Sequence, residues 1–551
     1  MKYILGIQNK FSVVKERVVM IFSLDIFDTL ITRTVAEPRG IFALMQNSLR
    51  NFPTLFKNNF VEIRMSAEYY VRTHSKQAEI TFDEIYEFIE KNYCLSIKQA
   101  EFLKELEIKT ELENSIGIER NIQKLKEWLK NDNKIILISD MYLPQKIIRS
   151  LLCKHNSIFE HIPIYVSCEH NATKCTGKLF EIVKEKENIE FKKWTHFGDN
   201  RISDFKIPKK LGINAEHYEF EGLKQYEKKF ICNSSINQLI IGTSRNLRLI
   251  ECSGNKKMEL GCSFAAPILF SYVSWILETA VSTKLVNLYF VMRDGFILKQ
   301  IADIIIKQRK LSIGTHYIYG SKKVWKNPEK EKITADYLKQ EIEFSKEFAF
   351  VDVYGSGETH AYLNEITKKY GLGQIKQFYF ESHSELWKNN LVFNFMPKNM
   401  SFLLEPLLRS IEGQTIDYKF KDSKIVPIIS EKESADFEKY KYQNYIDGVI
   451  LFSKSLVTLD INLLQSDFCF KYLEYGNKTP DKELAVLIGT IPFKDDAIKF
   501  TKLEIAPPIT LLSLPQIFLN KDYRGLLWIR VARSNVFIKS LFVLIRLIYK
   551  K

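Results

Sequence analysis

The stretch VVMIFSLDIFDTL, residues 18–30, decides the architecture of the first half of the chain. Val18 to Leu24 have the length and composition of a buried strand, and Asp25 follows at once, with Asp28 and Thr29 in the turn beyond. Three later pieces lead to chemistry in a similar way. KIILISD (134–140) ends on Ser139 and Asp140, TKCTGKLF (173–180) places Lys174 and Lys178 around a helix start, and WTHFGDNRISD (194–204) carries Asp199 and Asp204. Strand-length runs at 18–24, 135–138, 163–166 and 194–197 alternate with longer amphipathic segments, the signature of a parallel α/β sheet. In such sheets ligands bind at the carboxyl edge of the strands. A carboxylate there can attack a phosphoryl group, a metal between Asp25 and Asp199 would offset the charge, and Ser139 with a lysine would meet the transferring oxygens. Any one piece alone reads as a capped helix; their order and spacing together do not.

These four pieces resemble the haloacid-dehalogenase (HAD) superfamily over residues 16–225. Motif one is Asp25-Ile-Phe-Asp-Thr-Leu, motif two Ser139, motif three Lys174 (with Lys178 as the alternative) and motif four Gly198-Asp199 through Asp204. The resemblance implies a Rossmann-like parallel sheet, a nucleophilic Asp25, and Mg2+ held by Asp25, the carbonyl of Phe27, Asp199 and Asp204. It also makes residues 36–120, which show helical pattern only, the substrate cap. Family phosphatases carry a second aspartate two positions after the nucleophile as general acid and base. Here Phe27 stands at that position.

A second set of strand-length runs, at 286–291, 317–319, 348–353 and 378–380, predicts a second α/β domain over 235–520. Two of them run into polar loops: VNLYFVMRDGFIL (286–298) into Arg293-Asp294-Gly295, and FAFVDVYGSGETHAYL (348–363) into Asp352 and then Gly355-Ser356-Gly357-Glu358-Thr359. A glycine–hydroxyl loop opening a helix can cradle an anion, or can be a capped turn and no more. Together the two segments are similar to type I phosphoribosyltransferases. The resemblance implies that Arg293–Gly295 hold pyrophosphate, Asp352 the ribose hydroxyls, and residues 355–359 the 5-phosphate of phosphoribosyl pyrophosphate (PRPP). The first acid of that family's pair is replaced by Val351. LEPLLRSIEG (404–413) offers Glu405, Arg409 and Glu412 to an acceptor pocket or to a capped surface helix.

The chain has 551 residues, more than one core can serve, and its 46% hydrophobic and 26% charged content excludes extensive disorder. Net charge +14 favours anionic partners. No aromatic-basic recognition motif points to nucleic acid. Eight cysteines form no CxxC pair, which excludes a zinc ribbon and fits reduced thiols in the cytoplasm. The N-terminus shows no secretory pattern. Leu260–Leu277 carries no charge for 18 residues, but Pro267 and three serines favour a buried helix over a span. The charged stretch Glu219–Lys229, followed by Cys232-Asn-Ser-Ser, reads as the linker between domains. The tail, 521–551, is apolar and basic, suited to an interfacial helix on the inner face of the cytoplasmic membrane or to a helix packed on its own domain.

These readings lead to a bifunctional enzyme of surface-polysaccharide synthesis. The second domain would transfer 5-phosphoribosyl from PRPP to a lipid-linked glycan acceptor, and the first would remove the 5-phosphate. The large HAD proteins associated with glycosyltransferases are similar in layout. The alternatives are a single-activity phosphatase whose second domain binds a partner, and a binding protein whose Phe27 marks a silent site.

Overall fold

A computed structural model describes residues 20–382, 391–396, 403–408, 410, 412–430, 434–457, 466–494, 501–502, 504–519 and 526–549. The chain divides into two compact units, Met1–Thr34 with Ile41–Phe220, and Val35–Gly40 with Glu221–Lys551. Both are α/β.

The first unit is built on five parallel strands: β1 (Ile21–Leu24), β2 (Lys134–Ser139), β3 (Ile164–Val166), β4 (Trp194–Gly198) and β5 (Asn214–His217), in the order β3-β2-β1-β4-β5. Leu24 is level with Leu137 and Phe197, so β1, β2 and β4 release their chemistry at one edge. The strand order reverses between β1 and β4, the switch point where open sheets form ligand crevices. One face packs Ile21, Ile136, Ile138 and Trp194 against Leu179 and Phe180 of a helix at Lys178–Glu187. On Phe22 the Trp128 ring stacks at 4.3 Å. β5 escapes sequence reading because Asn214-Ala-Glu-His alternates like a surface edge strand and has no apolar run.

The insert between β1 and β2 folds as three main helices, α1 (Thr54–His74), α2 (Phe82–Asn92) and α3 (Ile97–Asn114); α2 and α3 each start on a reciprocal capping box. It is not purely helical, as the pattern suggested. Ile31–Arg33 pairs antiparallel with Ser115–Gly117, a ribbon that brings the chain back to the sheet. Inside the cap Arg64 is fully buried on the Glu107 carboxylate, at 2.8 and 2.9 Å, and Glu107 also accepts the hydroxyls of Tyr86 (2.6 Å) and Tyr142 (3.0 Å). Four donors compensate a carboxylate that burial alone would make very costly.

The second unit has its own parallel sheet: β6 (Asn287–Val291), β7 (Gly314–Ile318), β8 (Phe348–Val351), β9 (Lys376–Tyr379) and β10 (Val392–Asn394), in the order β10-β9-β8-β6-β7. β10 was not foreseen either, being a three-residue edge strand. The uncharged run forms the centre of a helical stretch, Lys256–Ser282, whose most apolar window is 94% buried, so it is the core helix of this unit. There it crosses α4 (Tyr442–Leu456) at glycines: a Cβ on Gly261 would lie 2.2 Å from the Tyr445 carbonyl oxygen, and one on Gly448 2.3 Å from that of Met258. The backbones meet where no side chain fits.

Two boundaries differ from the sequence reading. The segment expected as a linker is packed: Tyr226 and Glu227 are buried, and Glu227 takes two hydrogen bonds from Arg248. Nor is the tail separable at residue 520, because Leu526, Ile529 and Ala532 enter the main core of the unit. These three follow an amphipathic pattern that a membrane or a core would serve equally, so composition could not decide.

Candidate active site

Asp25 leaves β1 buried, its amide bonded to the Phe197 carbonyl in β4 at 2.9 Å. Lys174 reaches it from the far side: the ammonium donates to Asp25 Oδ1 at 2.5 Å and to Asp204 Oδ1 at 2.6 Å. Thr29 Oγ1 lies 3.3 Å from both Asp25 Oδ2 and Asp199 Oδ1. Oxygens of Asp25, Asp199 and Asp204 all lie within 4.8 Å of one another, a group that could hold a metal ion. Ser139 is buried at the end of β2, and Asp140 beside it accepts the Lys174 amide at 2.8 Å. Lys178, the alternative to Lys174, is exposed on its helix. Phe27 lies partly buried under the Arg33 guanidinium, 4.6 Å from the ring centroid, and Arg33 is held bidentate by Glu111 of α3. The position that carries an acid in family phosphatases is thus an apolar ring beneath a cation already paired.

Were all three carboxylates ionised, they would outweigh the one ammonium by two negative charges in a largely buried site, the charge one dication would offset. The electrostatics register this excess. Burial, Asp204 and Asp199 hold the Asp25 carboxyl well above its ordinary range despite Lys174. Burial and the nearby Asp28 push Asp199 up to about 6. Asp204 behaves oppositely: burial raises it, but Lys174 and His196 more than offset this and keep it ionised. Both of its oxygens are engaged, Oδ1 by Lys174 and His196 and Oδ2 by the Asn200 amide at 3.0 Å. A Cβ on Gly198 would fall 2.6 Å from the Asp204 carboxyl carbon, so the glycine is what lets that group tuck in. Asp204 therefore anchors Lys174 before anything else.

His196 was missed in the sequence because it sits mid-strand in an apolar run. Trp194 Nε1 donates to Ser23 Oγ at 2.7 Å and Ser23 Oγ lies 2.6 Å from His196 Nδ1, which leaves Nε2 to donate to Asp204 at 3.2 Å. Burial lowers the His196 pKa and keeps the ring neutral. The only available signal was a histidine flanked by Trp194 and Phe197 inside a strand, where a buried polar ring needs partners on both nitrogens.

In the second unit Arg293, Asp294 and Gly295 leave β6 and Asp352 leaves β8. These are adjacent strands at that sheet's switch point. Burial and the neighbouring Asp294 push Asp352 up to about 7, and its Oδ1 accepts the Val353 amide at 2.8 Å. Val351 is a core residue, and the acid that faces Asp352 electrostatically is Asp294, from the adjacent strand end. Arg293 adopts a left-handed φ of 70° and its amide donates to Tyr317 Oη at 2.7 Å; that hydroxyl donates to Glu412 Oε2 at 3.1 Å. Gly355 lies in a two-residue pairing of Tyr354–Gly355 with Glu381–Ser382, so the loop is less compact than expected. Gly357, φ 76°, is the N-cap of the helix α5 (Glu358–Lys369) and brings no side chain to it, while the Glu358 amide donates to Ser356 Oγ at 3.5 Å. Glu358 is exposed and paired with Lys326 at 2.7 Å, away from the acids; Ser356 is exposed and Thr359 half-buried. Arg409 and the Glu405 side chain lie outside the described residues.

No family model and no curated protein sequence matches the chain. Among solved structures it is similar to a HAD family enzyme from Bacteroides thetaiotaomicron, with 16% identity, covering 39% of this chain and 99% of that one at a TM-score of 0.28. The same enzyme in complex with magnesium and inorganic phosphate gives 16%, 39%, 100% and 0.27. A HAD phosphatase from Thermococcus onnurineus gives 17% identity, 38% and 90% coverage, and 0.27.

Proposed function

We propose that the first unit is a magnesium-dependent hydrolase of phosphomonoesters with Asp25 as nucleophile. The observation that carries this is the convergence of Asp25, Lys174, Asp199 and Asp204 at one switch point, three carboxylates around one ammonium. Asp25 and Asp199 would hold magnesium, which would supply the positive charge that lets a carboxylate approach a phosphoryl group. The chain does the rest. An Asp25 oxygen bonds to phosphorus as the bond to the leaving oxygen breaks, and Lys174 and Ser139 donate to the nonbridging oxygens as charge builds there. Asp204 and His196 hold Lys174 in line. Water then cleaves the acyl phosphate and releases phosphate. With Phe27 moving no proton, leaving groups of low basicity are favoured.

The second unit, on the same reading, transfers 5-phosphoribosyl from PRPP to a lipid-linked glycan acceptor with loss of pyrophosphate, and the first unit then removes the 5-phosphate. The pairing of Asp294 with Asp352 at the second switch point supports this over a purely partner-binding domain. The amides at the start of α5 suit a phosphate. The test is to incubate the full chain with magnesium, PRPP and lipid-linked acceptors while following pyrophosphate and phosphate separately. Asp25→Asn should abolish phosphate release and spare pyrophosphate release; Asp352→Ala should do the reverse with pre-formed phosphoribosyl product. If phosphate release survives Asp25→Asn, or both activities fall together in a folded variant, the two-site reading is wrong.

A further inference from the structure

Behind the main core of the second unit lies a small separate cluster, in which Ile509, Leu514 and Ile517 pack with Val531, Ile538 and Phe542. Ile538 and Phe542 come from a helix, Val536–Tyr549, and they define its inner face. Its outer face is apolar too. Val536 and Val543, and Phe537 and Leu544, are each seven residues apart, two helical turns, so the four share one side. They are 79%, 48%, 67% and 56% exposed. In the same cluster's leading turn, Leu511 and Leu512 are exposed by 61% and 89%. Six large apolar side chains on two neighbouring elements in water exceed what scattered surface residues explain.

The charges say what covers them. Described residues from 505 to 549 include no Asp or Glu. Of their four cations, Arg530 and Arg533 are spent internally on the Pro507 and Ala506 carbonyls and on Glu504. Lys539 and Arg546 remain, again seven apart, along one border of the apolar face, with Arg546 lying 4.6 Å over the Trp528 ring. An apolar face bordered by cations, with no acid among the described residues from 505 to 549, matches the boundary between anionic headgroups and acyl chains.

We propose that this face docks on an anionic lipid surface, with Phe537 and Leu544 entering the headgroup–acyl boundary and Lys539 and Arg546 meeting lipid phosphate. The contact is peripheral: the helix is bound to its own cluster by Ile538 and Phe542 and does not span. Docking there does not depend on the chemistry of either candidate site.

The test is co-sedimentation of the full chain with vesicles of phosphatidylcholine alone and of phosphatidylcholine mixed with phosphatidylglycerol. Binding is expected only with phosphatidylglycerol and should weaken as salt rises. Lys539→Gln with Arg546→Gln should lower affinity about 25-fold, about fivefold for each cation. Phe537→Ser with Leu544→Ser should abolish binding, and because both residues are exposed its melting temperature should match the parent's. Failure of the parent to bind, or equal binding to both vesicles, overturns the proposal. So does a parent dimer that Phe537→Ser separates, since a second copy would then be the cover.

Discussion

Asp352→Asn should stabilise the second unit at pH 8. An ordinary aspartate titrates near 3.8; burial and Asp294 push Asp352 up to about 7. The folded state therefore binds this proton more tightly than the unfolded chain does. The stability it contributes is fully present below pH 3.8 and falls as pH climbs to 7. About three units at about 1.4 kcal/mol each give about 4 kcal/mol, which partial solvent access reduces to about 2–3 kcal/mol. Asparagine keeps the oxygen that accepts the Val353 amide and carries no charge to bury. Hydrogen exchange at the β8 amides, Phe348–Val351, reads this locally without requiring the whole chain to unfold in one step. At pH 8 those amides should exchange about 30- to 150-fold more slowly in the variant, once intrinsic rates are divided out, and the difference should shrink toward nothing near pH 4. Such a gain marks a carboxylate kept at the expense of stability, as functional groups are. Faster exchange in the variant at pH 8 would show that Asp352 is a structural turn acid, and would remove the main support for a ligand at the second switch point.

Lys174→Met removes the one ammonium between Asp25 and Asp204. Phosphate release should fall by about 100- to 1,000-fold, and magnesium should raise the melting temperature of the variant more than that of the parent, since it alone then offsets three carboxylates. Phe27→Asp places a carboxylate beneath Arg33, where family phosphatases keep their acid and base. Turnover of an alkyl phosphate should rise by about 100-fold, measured as kcat; an unchanged rate in a folded variant would show that Arg33 and Glu111 hold the new group out of play.

The first site was legible because its residues obey a local rule. Asp25, Ser139 and Asp199 each follow an apolar run, and a parallel sheet sends such positions to one edge. Lys174 was preferred over Lys178 although both flank the same turn, and packing buries Lys174 while leaving Lys178 exposed. Asp204 was read as a metal ligand, and its grip on Lys174 became visible only with His196 in place, a partnership across strands that no spacing encodes. The Asp294–Asp352 pair lay hidden for a similar reason: the two are 58 positions apart and meet because β6 and β8 are neighbours. The edge strands β5 and β10 were missed for different reasons: Asn214-Ala-Glu-His has no apolar run, and Val392–Asn394 is only three residues long.

The seating of Leu526, Ile529 and Ala532 in the core of the second unit has a consequence for how the chain is made. All the described sheet, cap and catalytic residues of the first unit are complete by Phe220. The second cannot close its core until Ala532 has been added, 312 residues later (532 − 220). At ribosomal speeds of about 5–20 residues per second, that is roughly 15 to 60 s. Throughout that interval the nascent chain carries a completed first unit followed in sequence by an open apolar core. Its exposed Lys256–Ser282 helix would be the natural place for a chaperone to hold, and a premature stop after 525 should yield a competent first unit attached to an aggregation-prone remainder.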